Sequence, residues 1–416
     1  MCSSDLEALQ ASGLDKDEAL LIAIRRMGNS TALAGELGLA DLDRTWAQLP
    51  RAEEPGGGGN RREVGWVVLA AAAAAALGKL PLLFRVQMAE GFNVYARNTA
   101  LFVMPILIGG YYRVRRFHTS LLALLGAALA LAAVAVNVYP FRGDGSTQLL
   151  TVLHLPMLLW LLFGLAYTAG EWRNVRQVWD FIRFTGEFVV YSVLIGLGGL
   201  AFMMLTTAFF SAIGLPIEDF LMEWVGYSGL LGIPVVAAYL VEKKRSLIEN
   251  IAPVLARIFI PMFLVMTVSF LVGALTRLHV LAQDRNLLIM VDVLLALVTG
   301  MVLYDLSARA AEGPSTYMDL MSLLLMATAL IIDILALGGI LTRLSQFGLS
   351  PNRVAALGEN VLLLVNLAGL SYYYARFQRG KGSRREILSW QVRCMPGYLA
   401  WLAWVGFVLP PLYHFM

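Results

Sequence analysis

The chain has 416 residues, 58% of them apolar and only 15% charged, with a mean hydropathy of +0.69 and a formal charge of +3. Soluble folds of this length carry about a quarter charged residues, so the composition excludes an ordinary water-soluble globular protein. The basic residues sit in loops between apolar runs, which speaks for membrane orientation and against nucleic acid as a partner. Two cysteines (Cys2, Cys394) and four scattered histidines (His118, His154, His279, His414) offer neither a disulfide framework nor metal-ligand spacing. No cofactor motif is present.

The first 52 residues read as a small polar helical domain with no cleavable signal-peptide pattern. "DKDEALLIAIRRMG", Asp15 to Gly28, is a helix with Asp15 as cap, Glu18 in the capping-box position and Gly28 as stop. "NSTALAGELG" follows as a second short helix. Leu20, Ile24, Leu33 and Leu37 give the pair an apolar face too small to bury a core alone, so residues 6–38 are expected to meet a cytoplasmic protein partner. The opening "MCSSDL" leads into no helix, and the expectation is a domain truncated at its N-terminus. Residues 53–63, with four consecutive glycines, read as a flexible linker. No Gly-Lys-Ser/Thr follows, so they are not a phosphate loop.

Residues 64–416 are expected to form a polytopic, all-α transmembrane bundle. About 20 apolar residues cross a bilayer, and eleven such runs recur: 64–84, 98–112, 119–139, 149–169, 184–210, 225–241, 254–276, 286–306, 318–342, 354–374 and 397–415. Lys79 and Pro81 interrupt the first, and the second is short. If the N-terminus is cytoplasmic, the inner loops and their edges carry 17 Lys/Arg and the outer ones 7, as positive-inside ordering requires. The C-terminus is then outside. Trp172, Trp179, Trp224 and the run Tyr372, Tyr373 and Tyr374 are expected in the aromatic belts.

Two resemblances follow from local strings. "SGLDKDEALLIAIRRMGNSTALAGELG" resembles the type 1 permease prefix domain of bacterial membrane proteins, without that domain's preceding helix. "YARNTALFVMPIL", "HLPMLLWLLFGLAYTAGEWRNVRQVWDFIRFTGEFVVYSVLIGLGG" and "GLSPNRVAALGENVLLLVNL" resemble a bacterial multi-pass family filed as domain of unknown function 4153. The resemblance implies a bacterial inner-membrane protein and assigns no catalytic residue.

Charges inside the spans are the candidate site. An acid at mid-span costs roughly 2.5–3.5 kcal/mol on insertion scales, so it must face protein or a wet cavity. At 1.5 Å per residue, Asp292 lies roughly 9 Å and Asp333 roughly 13 Å below the outer face. Glu359, Asn366, His154 and Lys79 fall in the same leaflet, with Arg97, Arg277, Arg343 and Arg353 along the rim. One reading is an outward-opening polar cavity that handles protons or a small polar or cationic ligand. The other is a set of structural ion pairs, such as Asp333 with Arg343 or Arg277. Asp305 reads as a solvated interface residue, "SPNR" as a helix start with Ser350 as cap and Arg353 as a candidate gate, and Arg183 with Glu187 as an i, i+4 pair. "GLGG" at 196–199 reads as close helix packing. A transporter-like protein leads. A regulatory or scaffolding protein acting through its hairpin comes second, and a lipid-linked transferase last, because the outer loops are short.

Overall fold

The computed structural model describes residues 57–86, 88–142, 145–215, 217–243, 251–276, 284–307 and 316–416, with backbone alone for 57–62, 88–92, 251–256 and 285. The hairpin at residues 6–38, Cys2, His279 and Arg277 lie outside the described residues. Arg62–Met416 form one compact unit, and among the described residues every regular element is a helix. In chain order these are α1 (Gly57–Leu77), α2 (Leu80–Leu83), α3 (Met88–Arg115), α4 (Thr119–Val138), α5 (Ser146–Tyr167) and α6 (Val175–Ala212). They continue as α7 (Glu218–Lys243), α8 (Ile251–Thr276), α9 (Arg285–Ser307), α10 (Tyr317–Phe347), α11 (Pro351–Gln378) and α12 (Arg384–Leu412). Among the described residues nine helices, α4 to α12, are long and apolar enough to cross a bilayer. The chain is a multi-pass helical membrane protein.

The two weak apolar runs belong to helices that fall short of this standard by length or composition. α1 begins inside the glycine run and has only Glu63–Leu77 as its apolar part. It stops where Gly78 and Lys79 turn the chain into the proline-led α2. α3 starts ten residues before its apolar run and carries polar side chains through its first turns. Both still pack within the unit. α1 lies along α7, with Glu63 paired to Lys243 at one end, Ala71 near Gly232 midway, and Gly78 against Leu231 and Tyr227.

Contacts between helix ends sort into two faces. On the proximal face Arg115 meets Glu242 (3.3 Å) and Tyr167, Arg113 stacks on Trp66, and Arg384 pairs with Asp319 (3.2 Å). On the distal face Lys79 meets Glu223 and Trp224, and the 142–147 segment bonds to Phe415 and Met416. Every one of these links joins ends that strict up-and-down alternation of the eleven long helices puts on the same side.

Packing divides into two large apolar cores and a small third one, Ala355, Val405 and Leu409, against which Leu150 of α5 packs. One unites α1, α3, α4, α5 and α7 with Phe181 and Phe184 of α6. The other unites α8 to α11 with Val178 and Trp179 of α6 and Ile387 and Val392 of α12. Within the second, α11 and α12 approach closely because Trp401 lies over Gly358 and Trp390 over Gly369, where any side chain would collide with the indole. "GLGG" has no such role. A methyl at Gly198 or Gly199 would meet nothing, and Leu197 and Leu200 beside them are exposed. That half of α6 points at lipid. Trp179 and Tyr374 are likewise core residues, not belt residues: Trp179 is buried and donates to the Leu388 carbonyl (3.1 Å), and Tyr374 is fully buried. Asp305 is buried too and accepts from Ser322.

Trp390 is pinned by its hydrogen bond to the Asn366 carbonyl (3.1 Å), so it has no room to yield. Gly369→Ala should therefore destabilise the purified protein by about 1–3 kcal/mol through overpacking, while Gly199→Ala should leave its thermal midpoint unchanged or raised. Equal midpoints would remove the notch from the account. Asp319 and Arg384 are both nearly inaccessible, so Asp319→Ala should cost about 3–5 kcal/mol by stranding a buried guanidinium. Thermal unfolding in mild detergent measures both.

Candidate functional site

Between the two cores runs a cleft of about 1680 Å³. Its walls come from α3, α5, α6 and α7 on one side and from α8 to α12 on the other. On α9 the lining runs from Leu288 to Tyr304, 16 positions further on, which at a rise of 1.5 Å per residue is a path of about 24 Å. Most of the wall is apolar. The polar exceptions gather toward the distal mouth, where Ser350, Asn352, Arg343 and Arg353 precede His154, Asp292 and Glu359. Gln391, Tyr398, Thr299 and Tyr304 lie further in.

Each polar group is placed by its helix. Asp292 on α9 accepts from Asn360 Nδ2 of α11 (2.8 Å), and the same amide also bonds to Ala356, one turn back. Two residues cannot share that amide unless α9 and α11 are neighbours, so the bond fixes their register. Asn366, also on α11, donates to the Tyr398 hydroxyl of α12 (3.0 Å). His154 Nδ1 bonds to the Leu150 carbonyl (2.8 Å). A carbonyl only accepts, so Nδ1 carries the hydrogen and Nε2 is left for other partners. Glu359 lies close enough to His154 and to Asp292 to interact with both charges. The first interaction crosses from one core to the other, since α5 and α11 belong to different ones.

Asp333 stands behind this wall. It is fully buried, it lies within electrostatic range of Asp292, and neither of its oxygens has a hydrogen-bond partner among the described residues. No arginine pairs with it among the described residues. Tyr398 is the other polar group near it.

The polar layer expected from sequence therefore divides. Asp292, Glu359 and His154 converge on the cleft, Asp333 backs onto Asp292, and Asn366 reaches the wall through Tyr398. Arg343 and Arg353 stand at the mouth. Arg353 donates to the carbonyls of Phe347 (2.9 Å) and Gly348 (2.7 Å) and lies over the Phe347 ring, so it ties down the α10–α11 turn. Ser350 occupies the cap position of α11 with Pro351 in its first turn, though its side chain makes no capping bond. Arg183 and Glu187 pair at 3.1 Å. Lys79 does not join the acids: it bonds to the Glu223 carbonyl (2.6 Å) over Trp224, at the start of α7. Arg97 is on α3 and is not among the cleft-lining residues.

Sequence reading passed over Asn360, Gln391 and Tyr398. Asn360 was visible as a second polar residue beside Glu359 within an apolar run. Tyr398 carried no signal, because a tyrosine in a span is ordinarily apolar surface. Among the described residues no three His, Cys, Asp or Glu side chains are grouped to hold a metal ion. No family model, curated protein or solved structure matches this chain.

Among the described residues Asp333 has no arginine to lose. Asp333→Asn should therefore leave the thermal midpoint equal or raised, because the new amide can donate toward Asp292. A loss near 3–5 kcal/mol, the usual cost of breaking a buried ion pair, would mean that Asp333 locks the bundle.

Proposed function

We propose that this chain is a transporter-like protein of the bacterial inner membrane whose inter-core cleft takes a small polar or cationic ligand, or protons. One observation carries the reading: Asp292 and Glu359 from one helical core and His154 from the other line a cleft that runs most of the depth of the bundle. Buried acids in a span are costly and persist where they face a cavity. A bundle serving only as an anchor has no need of a cleft lined by Asp292 and Glu359.

The proximal face is the cytoplasmic one in this reading, because it gathers most of the loop arginines and lysines. The N-terminus then lies in the cytoplasm and the C-terminus outside. The likeness to the permease prefix domain and to domain of unknown function 4153 agrees with this placement. A second reading rests on the sequence of residues 6–38, whose apolar face is too small to bury a core alone: a regulatory or scaffolding protein whose hairpin binds a cytoplasmic partner.

Thiol accessibility separates the two readings. In a background lacking Cys2 and Cys394, Asn352→Cys and Glu359→Cys should react with a membrane-impermeant maleimide applied to the distal face of intact cells. Met326→Cys, in the fully buried core, should not. Silence at both cleft positions would leave a closed anchor and favour the scaffold.

A further inference from the structure

We infer that the ligand of the cleft is a lipophilic organic cation that enters sideways from the bilayer, an inference that rests on the cleft being a ligand path. Shape is the first argument. Several lining residues, among them Leu153, Met157, Val189, Leu230, Val293 and Leu297, are at least half exposed. The cleft is therefore open along its flank, where lipid lies, and does not close into a pore. A small hydrated ion would have to shed water against this apolar wall with few polar groups in exchange. A molecule with an apolar body gains contact along the whole of it.

Charge is the second argument. Asp292 and Glu359 sit on the wall, and among the described residues neither is paired with a lysine or arginine; Asp292 has only the neutral Asn360 amide as hydrogen-bond partner. The Arg353 guanidinium is turned to backbone carbonyls of the α10–α11 turn. Arg343 and Arg353 stand at the mouth, and deeper along the wall the charged residues are the carboxylates Asp292 and Glu359. Gln391 adds an independent sign: it is 4% exposed, it lines the cleft, and its Oε1 has no hydrogen-bond partner. A carbonyl oxygen without a donor suits an N–H. Trp401 Nε1 and the Tyr304 hydroxyl on the same wall, likewise unpartnered among the described residues, offer donors in return, so the preference for a cation rests on the carboxylates.

The third argument is aromatic. Trp160, Phe188, Tyr304, Tyr398 and Trp401 all line the cleft. Trp160 and Phe188 pack with ring centroids 4.2 Å apart and planes tilted by 30°, and Trp160 is oriented by its bond to Thr185 (3.1 Å). Aromatic faces attract cations, and more so when water is excluded. Carboxylates, aromatic faces and an apolar flank together select a cation wrapped in hydrocarbon.

The test uses the full chain in lipid nanodiscs and three probes: tetraphenylphosphonium, its anionic isostere tetraphenylborate, and tetramethylammonium. Saturable quenching of tryptophan fluorescence reports binding, with empty nanodiscs subtracted. Tetraphenylphosphonium should bind saturably, and Glu359→Gln should weaken it by about tenfold, the scale of one lost charge contact. Glu359 makes no ion pair among the described residues, so this variant should fold; Asp292→Asn gives the same reading should it not. Equal binding of tetraphenylborate, or affinity unchanged in both variants, would overturn the inference. Binding of tetramethylammonium alone would also overturn it while leaving a cation path in place. Failure of all three probes, with Glu359→Cys unreactive, would sink the cleft reading itself.

Discussion

Inside a bilayer every polar backbone group must find its partner within the protein, and the bundle is organised around that constraint. Pro410 and Pro411 in α12 have no N–H to offer the carbonyls four residues back, those of Gly406 and Phe407. The Tyr139 hydroxyl donates to the Phe407 carbonyl instead (2.9 Å), and Thr151 Oγ1 of α5, whose shorter bond is to Thr147 (2.9 Å), comes within 3.4 Å of the Gly406 carbonyl. The helix widens to a π turn at Trp404–Val408 at this point, a common device where the regular ladder is broken. α7 does the same at Leu221–Gly226, where Lys79 reaches the Glu223 carbonyl. Irregular backbone becomes the glue between helices.

Side-chain amides obey the same rule. Asn98 of α3 and Asn137 of α4 exchange hydrogen bonds in both directions, at 2.9 and 2.8 Å. Arg384 and Asp319 bind α12 to the capping box that starts α10. Buried side-chain atoms without a hydrogen-bond partner among the described residues occur in several parts of the bundle, Ser192 and Ser371 among them. On the cleft wall they are Gln391 Oε1, the Tyr304 hydroxyl and Trp401 Nε1, with both Asp333 oxygens behind it. A wall that holds unpartnered acceptors and donors beside its carboxylates supports reading the cleft as a ligand site.

The architecture was legible in the sequence to the extent that lipid imposes a one-dimensional signal. Apolar runs located the nine helices that are long and apolar enough to cross a bilayer among the described residues, and also α1 and α3, which fall short of that standard. Helix boundaries were less legible because helices outrun the lipid: α6 begins at Val175, nine residues before its apolar run, and α12 at Arg384, thirteen before. Hydropathy cannot see a helix whose first turns are polar. Rotational setting was not legible at all. Asp305, judged by depth, looked solvated and is buried against Ser322; "GLGG", judged by composition, looked like an interface and faces outward. The acids were found because charge in an apolar run is conspicuous. Their partner Asn360 and the aromatic wall were not, because which helices adjoin is decided by packing between segments far apart in sequence.

The central claim is that the two cores stand apart across a cleft, with the acids on its wall. Cysteines replacing Met157 on α5 and Val293 on α9, in a background without Cys2 and Cys394, test it through bismaleimides of graded spacer length. The account predicts bridging by a long spacer and no spontaneous disulfide, because the cleft keeps these walls apart. Ready formation of a direct disulfide between the two positions would contradict it, since α5 would then pack against α9 and leave the acids facing no cavity.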